Sequence, residues 1–178
     1  TCSMMMRKEY VGLVGGEDAK TLAQHVMDPN EYLNNLRRAG KLDLAFRSTP
    51  GRIAYHVPCH LRAQNIGYRS RDMMAAIGGS TEVELVTECC GHDGTWAMKR
   101  EYFMMSLEAG RKAFDGMKER AAPEDGRAGI MTTDCPLAAI QFQQATGVKP
   151  LHPLQVLARA YRVDGFATPV ESQPKNQG

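Results

Sequence analysis

A chain of 178 residues with 43% hydrophobic and 24% charged residues suits a soluble globular protein with one sizeable core. A formal net charge of +2 gives no reason to expect nucleic acid as a partner, and no run of about 18 apolar residues is present to make a transmembrane helix. No secretory leader is visible, and five cysteines, an odd count with Cys89 and Cys90 adjacent, do not form a disulfide framework.

In chain order, Cys2 to Tyr10 predicts a short helix and Val11–Glu17 a glycine-rich turn. Asp18 is placed to cap a helix running to about Met27, and Asn30–Ala39 predicts another, closed by Gly40. Leu42–Phe46 is a weak strand candidate, and Thr49-Pro50-Gly51 a turn. Strand and helix then alternate. Arg52–Val57 predicts a strand, Arg69–Ile77 a helix ended by Gly78-Gly79, and Glu82–Thr87 a second strand. After the loop Cys89-Cys90-Gly91-His92-Asp93-Gly94, a long helix is expected from about Thr95 to Arg120, with Trp96, Phe103, Leu107, Phe114 and Met117 on its apolar face. Ile130–Thr133 is the third strand, and Pro136 opens a helix to Ala145 that Gly147 closes. Val148–His152 is a short fourth strand, and Pro153 starts a last helix to about Tyr161. The expected fold class is α/β: a mostly parallel sheet with flanking helices, carrying cysteines at the C-terminal ends of its strands. The tail from Ala167 is expected to be disordered.

Cys59, the Cys89–Cys90 pair and Cys135 each close a short apolar run that precedes a helical pattern. Parallel strands deliver such residues to one edge of the sheet. There, helix amino ends favour thiolates, and soft thiolates select zinc or iron–sulfur clusters. Gly91 and Gly94 let the loop turn sharply, so its N–H groups can reach a bound cluster. The bland alternative, small buried core residues, weakens when four cysteines occupy equivalent strand ends.

The segment His56-Val57-Pro58-Cys59-His60-Leu61-Arg62-Ala63-Gln64 resembles the start of the cysteine-rich CCG domain. That domain is found in a family holding the B-type subunits of heterodisulfide reductase and the C-type subunits of anaerobic glycerol-3-phosphate dehydrogenase. Cys89-Cys90-Gly91 matches its naming triplet, Thr95-Trp96-Ala97-Met98-Lys99 follows as expected, and Thr133-Asp134-Cys135-Pro136 resembles its closing segment. The resemblance implies three parts: residues 1–50 as the helical remnant of a preceding CCG domain and a linker, 51–164 as the CCG domain, and 165–178 as a tail. It implies an iron–sulfur electron-transfer component of a flavin-dependent dehydrogenase or heterodisulfide-reductase-like complex, passing electrons toward quinone or a disulfide. By position it makes Cys59, Cys89, Cys90 and Cys135 metal ligands. The implied cofactor is a 4Fe–4S cluster, with zinc as the alternative. The implied partners are a flavin dehydrogenase subunit and other iron–sulfur domains, in the cytoplasm or at the inner face of the membrane through those partners. A zinc-stabilised docking module is the rival function, and a thiol–disulfide enzyme using Cys89–Cys90 lacks a C-x-x-C. Thr1-Cys2-Ser3-Met4-Met5 resembles the tail of the preceding domain, which leaves Cys2 outside the site.

Two departures from the family's pattern matter: the interval from Cys90 to Cys135 is longer than is typical, and the closing motif differs. The family's closing C-x-x-C reads Cys135-Pro136-Leu137-Ala138 here, so a fifth thiolate is missing. Four histidines are within reach in sequence. His60 and His92 are the stronger candidates for the vacant role, as ligands or as hydrogen-bond partners of the centre, and His56 and His152 are weaker. Arg62 and Lys99 could neutralise cluster charge, Asp93 could cap the long helix, Trp96 is expected as a core anchor, and the eleven methionines are expected mostly in core packing.

Overall fold

Strand β1 (Arg52–His56) lies at the centre, and its alternating side chains divide two cores. Ile53, Tyr55 and the following Val57 enter one, and Ala54 enters the other. In this computed structural model, which describes residues 2–123 and 127–166, β2 (Glu82–Val86) and β3 (Ile130–Thr133) pair with β1 on either side, both parallel, giving the order β2-β1-β3. Apolar side chains on both faces of β1 require helices on both faces. The first core is closed by Met73, Met74 and Ile77 in and just after α6 (Arg69–Ala75) and by Val156, Leu157 and Ala160 of α9 (Pro153–Ala160). The second is closed by Ala113, Phe114 and Met117 of α7 (Arg100–Arg120) and by Ala138 and Phe142 of α8 (Pro136–Thr146).

The chain passes from β1 outward to β2, then crosses over β1 to reach β3. Strand order therefore reverses between β1 and β3, and a crevice opens at the carboxyl edge beside such a reversal. The fourth strand contracts to one parallel bridge, Thr132 to Leu151, with Leu151 N–H donating to the Met131 carbonyl and Thr133 N–H to the Leu151 carbonyl. Pro150 and Pro153 flank it and remove the donors that a longer ladder needs.

Other elements shift. Residues Cys2–Met4 (α1), a π-helical turn Met5–Glu9 and Tyr10–Leu13 (α2) carry the first helix through most of the expected turn. Helix α3 (Gly16–His25) is N-capped by Gly15 at positive φ, so Asp18 sits inside its first turn instead of capping it. Helix α4 (Pro29–Arg38) starts at a capping box of Asp28 and Glu31. Leu42–Phe46 is not a strand: Leu42 and Phe46 pack irregularly against the first core. The long helix begins later than expected, because Lys99 is extended between a 3₁₀ turn (Trp96–Met98) and α7. Trp96 is no core anchor but stacks at 5.5 Å on Tyr102 at the surface. The buried stripe of α7 is Ser106, Gly110, Ala113, Phe114, Gly116 and Met117, mostly small residues that let it approach the sheet. Met73, Met74, Met117 and Met131 are core, while Met98, Met104 and Met105 are exposed. No described helix is long and apolar enough to cross a membrane. The tail from Ala167 lies outside the described residues.

Candidate metal centre

Three strand ends supply the cysteines. After β1, Val57-Pro58 stays extended, and Cys59 is the first residue of a helix, α5 (Cys59–Arg62), too short to leave a periodic pattern in the sequence. After β2, Cys89 and Cys90 lie in a loop held down on α7. After β3, Cys135 is the N-cap residue of α8, with Pro136 next. Cys59, Cys90 and Cys135 line one cleft with His56, His60 and His92, and Ala138 closes its floor. The cleft encloses about 50 Å³. Cys59 and Cys89 are exposed at the surface, and Cys90 and Cys135 are half-buried.

Gly91 fixes the middle of the Cys89–Gly94 loop. Its φ is +75°, and a Cβ there would lie 2.0 Å from the Ser106 carbonyl oxygen. A Cβ on Gly110 would lie 2.5 Å from the Cys90 carbonyl oxygen, so loop and helix meet glycine to glycine. The Gly91 N–H then donates to Cys89 Sγ at 3.3 Å. Burial pushes the Cys90 thiol up to about 11; a bond from the His92 N–H opposes this, and Cys89, Cys135 and Cys59 add to it. Cys89, Cys135 and Cys59 are thus each within electrostatic reach of Cys90. Among the described residues, no three Cys, His, Asp or Glu side chains close to the spacing that a single metal ion requires.

The histidines separate by partner. His56 is buried, with Nε2 at 3.2 Å from the Glu88 carbonyl and Nδ1 at 3.1 Å from Thr133 Oγ1. With both ring nitrogens engaged it is a brace and not a ligand, and burial lowers its pKa to about 4. His152 Nδ1 accepts the Leu154 N–H at 3.1 Å, which makes it the cap of α9 and removes it from the site. His60 is half-buried at the cleft on α5. His92 is 5% exposed, and its Nδ1 has no hydrogen-bond partner. Asp93, at φ +40°, caps nothing with its side chain; its carbonyl receives the Trp96 N–H at 3.1 Å. Lys99 Nζ lies 5.9 Å from the centre of the Tyr102 ring.

Asp134 is a functional neighbour that the sequence alone does not single out. It turns away from the cleft and accepts hydrogen bonds from Tyr55 Oη at 2.6 Å, Ser70 Oγ at 2.6 Å and Asn30 Nδ2 at 3.2 Å. This joins β1, α6 and α4 to the residue before Cys135. Burial, then the Asp134 charge, raise the pKa of nearby Asp28. The one signal is an acidic residue between a strand and its terminal cysteine, and nothing in sequence tells such a residue from a solvated one.

Soft thiol donors at helix starts, glycine-freed loop amides and an orphaned imidazole nitrogen fit a thiophilic metal centre. The profile of the cysteine-rich domain family, CCG, matches residues 53–143. The chain is 28% identical over 160 residues to the C subunit of anaerobic glycerol-3-phosphate dehydrogenase from Escherichia coli strain K12, and equally to that of strain O157:H7, covering 90% of this chain and 38% of each relative. No solved structure matches.

Proposed function

Because the chain belongs to the CCG cysteine-rich domain family, we propose that it holds an iron–sulfur centre through Cys59, Cys89, Cys90 and Cys135 and serves as an electron-transfer part of a dehydrogenase complex. The observation that carries this reading is the meeting of three thiols, Cys59, Cys90 and Cys135, from three strand ends at one cleft, with Cys89 within electrostatic reach of Cys90. The bound centre would supply one-electron transfer. The chain's own residues do the rest. Gly91 offers its N–H to Cys89 sulfur, His56 holds the strand ends together, and His60 and His92 line the cleft. A 4Fe–4S cluster is our specific assignment.

The dehydrogenase context rests on the name of the relatives, of which this chain spans 38% of the length. From it we propose a flavin-bearing subunit and other iron–sulfur domains as partners, a quinone or disulfide as acceptor, and a cytoplasmic position that reaches the inner membrane face only through partners. Zinc is the competing occupant, since four thiolates satisfy a tetrahedral ion. The spacing of the thiols weighs against it: Cys89, Cys135 and Cys59 each act on Cys90, yet among the described residues no three donors gather as one ion demands. Anaerobic purification followed by iron, zinc and acid-labile sulfide analysis tests the proposal. Iron and sulfide with broad visible absorption are expected, and colourless protein with one zinc per chain would overturn it.

A further inference from the structure

His92 differs from the other histidines near the strand ends. His56 has both ring nitrogens engaged, and His152 caps a helix. His92 is more than nine-tenths buried, lines the cleft with Cys59, Cys90 and Cys135, and leaves Nδ1 without a partner. A buried polar atom left unpaired costs stability and calls for an explanation. Its backbone is not loose. The His92 carbonyl accepts the Ala97 N–H at 3.2 Å, and its own N–H rests on Cys90 sulfur. The backbone that carries the imidazole is therefore held in place before anything binds. On the floor of the same cleft, Ala138 sits one helical turn beyond Cys135 and presents only a methyl group. The cleft thus has thiols around it, no donor at Ala138 and one unused nitrogen.

We infer that His92 Nδ1 is a donor atom to the bound centre, beside the cysteines and in the place of the thiolate that Ala138 does not supply. The inference rests on the iron–sulfur reading above. Coordination uses the neutral imidazole with its proton on Nε2, so no charge is added beyond the thiolates. Replacing a thiolate by imidazole raises the potential of a cluster, and His92→Cys should therefore lower it.

The test uses the full chain reconstituted anaerobically with ferrous iron and sulfide, then reduced with dithionite. Pulsed electron paramagnetic resonance should show the coupling of a directly bound nitrogen, shifted when the histidines carry nitrogen-15. His60→Asn should keep that coupling. His92→Cys should retain iron, lose the nitrogen coupling and titrate at lower potential. His92→Ala should release iron to a chelator at least about tenfold faster, the scale seen when even an outer partner of a metal ligand is lost. Circular dichroism checks that each variant is folded, and the labelling experiment decides the matter even if His92→Cys does not fold. Loaded iron with no nitrogen coupling, or coupling that survives His92→Cys, overturns the His92 assignment alone. Failure of the unaltered chain to take up iron and sulfide overturns the iron–sulfur reading, and this inference falls with it.

Discussion

His56 and Thr133 join the three cysteine-bearing strand ends through hydrogens whose directions can be assigned. The Glu88 carbonyl can only accept, so His56 Nε2 carries the proton and donates across 3.2 Å. His56 Nδ1 must then accept from the Thr133 hydroxyl at 3.1 Å, and the same oxygen receives the Cys135 N–H at 3.4 Å. Thr133→Val keeps the shape but leaves His56 Nδ1 unpaired, and should destabilise the chain by about 1–3 kcal/mol. Thr133→Ser should stay close to the parent, and urea midpoints compare the two. Acid tests the same brace. The folded pKa of about 4 lies below the ordinary 6.5, so the unfolded chain binds the extra proton between those values. Stability should be unaffected by His56 above pH 6.5 and fall as the pH drops toward 4, by about 3 kcal/mol in all. His56→Gln should flatten that slope in pH-dependent denaturation. Sequence could nominate His56, His60, His92 and His152 together, because all lie near cysteines or strand ends. It could set His60 and His92 above His56 and His152 but could not separate the first two, since that depends on what each ring nitrogen meets in the fold.

At the scale of elements, the Cys89–Gly94 loop depends on two glycines, Gly91 in the loop and Gly110 on α7. Gly91→Ala puts a Cβ at positive φ and against the Ser106 carbonyl, and should cost on the order of 2–4 kcal/mol. Because the loop must lift to relieve the clash, metal retention should fall with stability. A Gly91→Ala chain with unchanged melting and unchanged iron content would show that the loop is not seated as described. The start of α8 offers a compensating change. Ala138 faces the cleft, so Ala138→Cys in a His92→Ala background should restore much of the lost iron retention, measured as release to a chelator. The main strands were legible because β1, β2 and β3 are short apolar runs bounded by turn residues and helical periodicity. The expected strand at Leu42–Phe46 failed because apolar residues can pack on a core without joining a sheet. The fourth strand shrank to one bridge between two prolines. The delayed start of α7 was hidden because a 3₁₀ turn and a helix share a similar apolar spacing.

For the molecule as a whole, the cysteine edge is braced from the opposite face by residues that lie before the expected domain start at 51. Asn30 of α4 reaches Asp134, next to Cys135. Leu33, Leu42 and Phe46 pack on the first core, and the N–H groups of Arg47 and Ser48 both donate to the Ala160 carbonyl, at 2.7 and 3.1 Å. Further out the ties are lighter: Arg7 pairs with Glu31 at 2.9 Å, and Gln64 donates to Ser3 Oγ at 3.2 Å. None of this was readable in sequence, because the 104-residue separation of Asn30 and Asp134 leaves no local pattern. A chain beginning at residue 51 should therefore be much weaker than one beginning at Asp28. Three half-buried apolar side chains, at roughly 1 kcal/mol each, give a loss of about 3 kcal/mol, before the uncovered Tyr55–Asp134–Ser70 bonds are considered. That is a large fraction of the stability of an ordinary domain, about 5–15 kcal/mol, and corresponds to melting about 10 °C lower. The chain from Asp28 gives up an ion pair and surface contacts worth about 1 kcal/mol, and should melt within about 4 °C of the full chain. Calorimetry of the three lengths checks this. Equal melting of the full chain and the chain from residue 51 would mean that residues 29–50 are a linker with no part in holding Asp134, and through it the turn that presents Cys135.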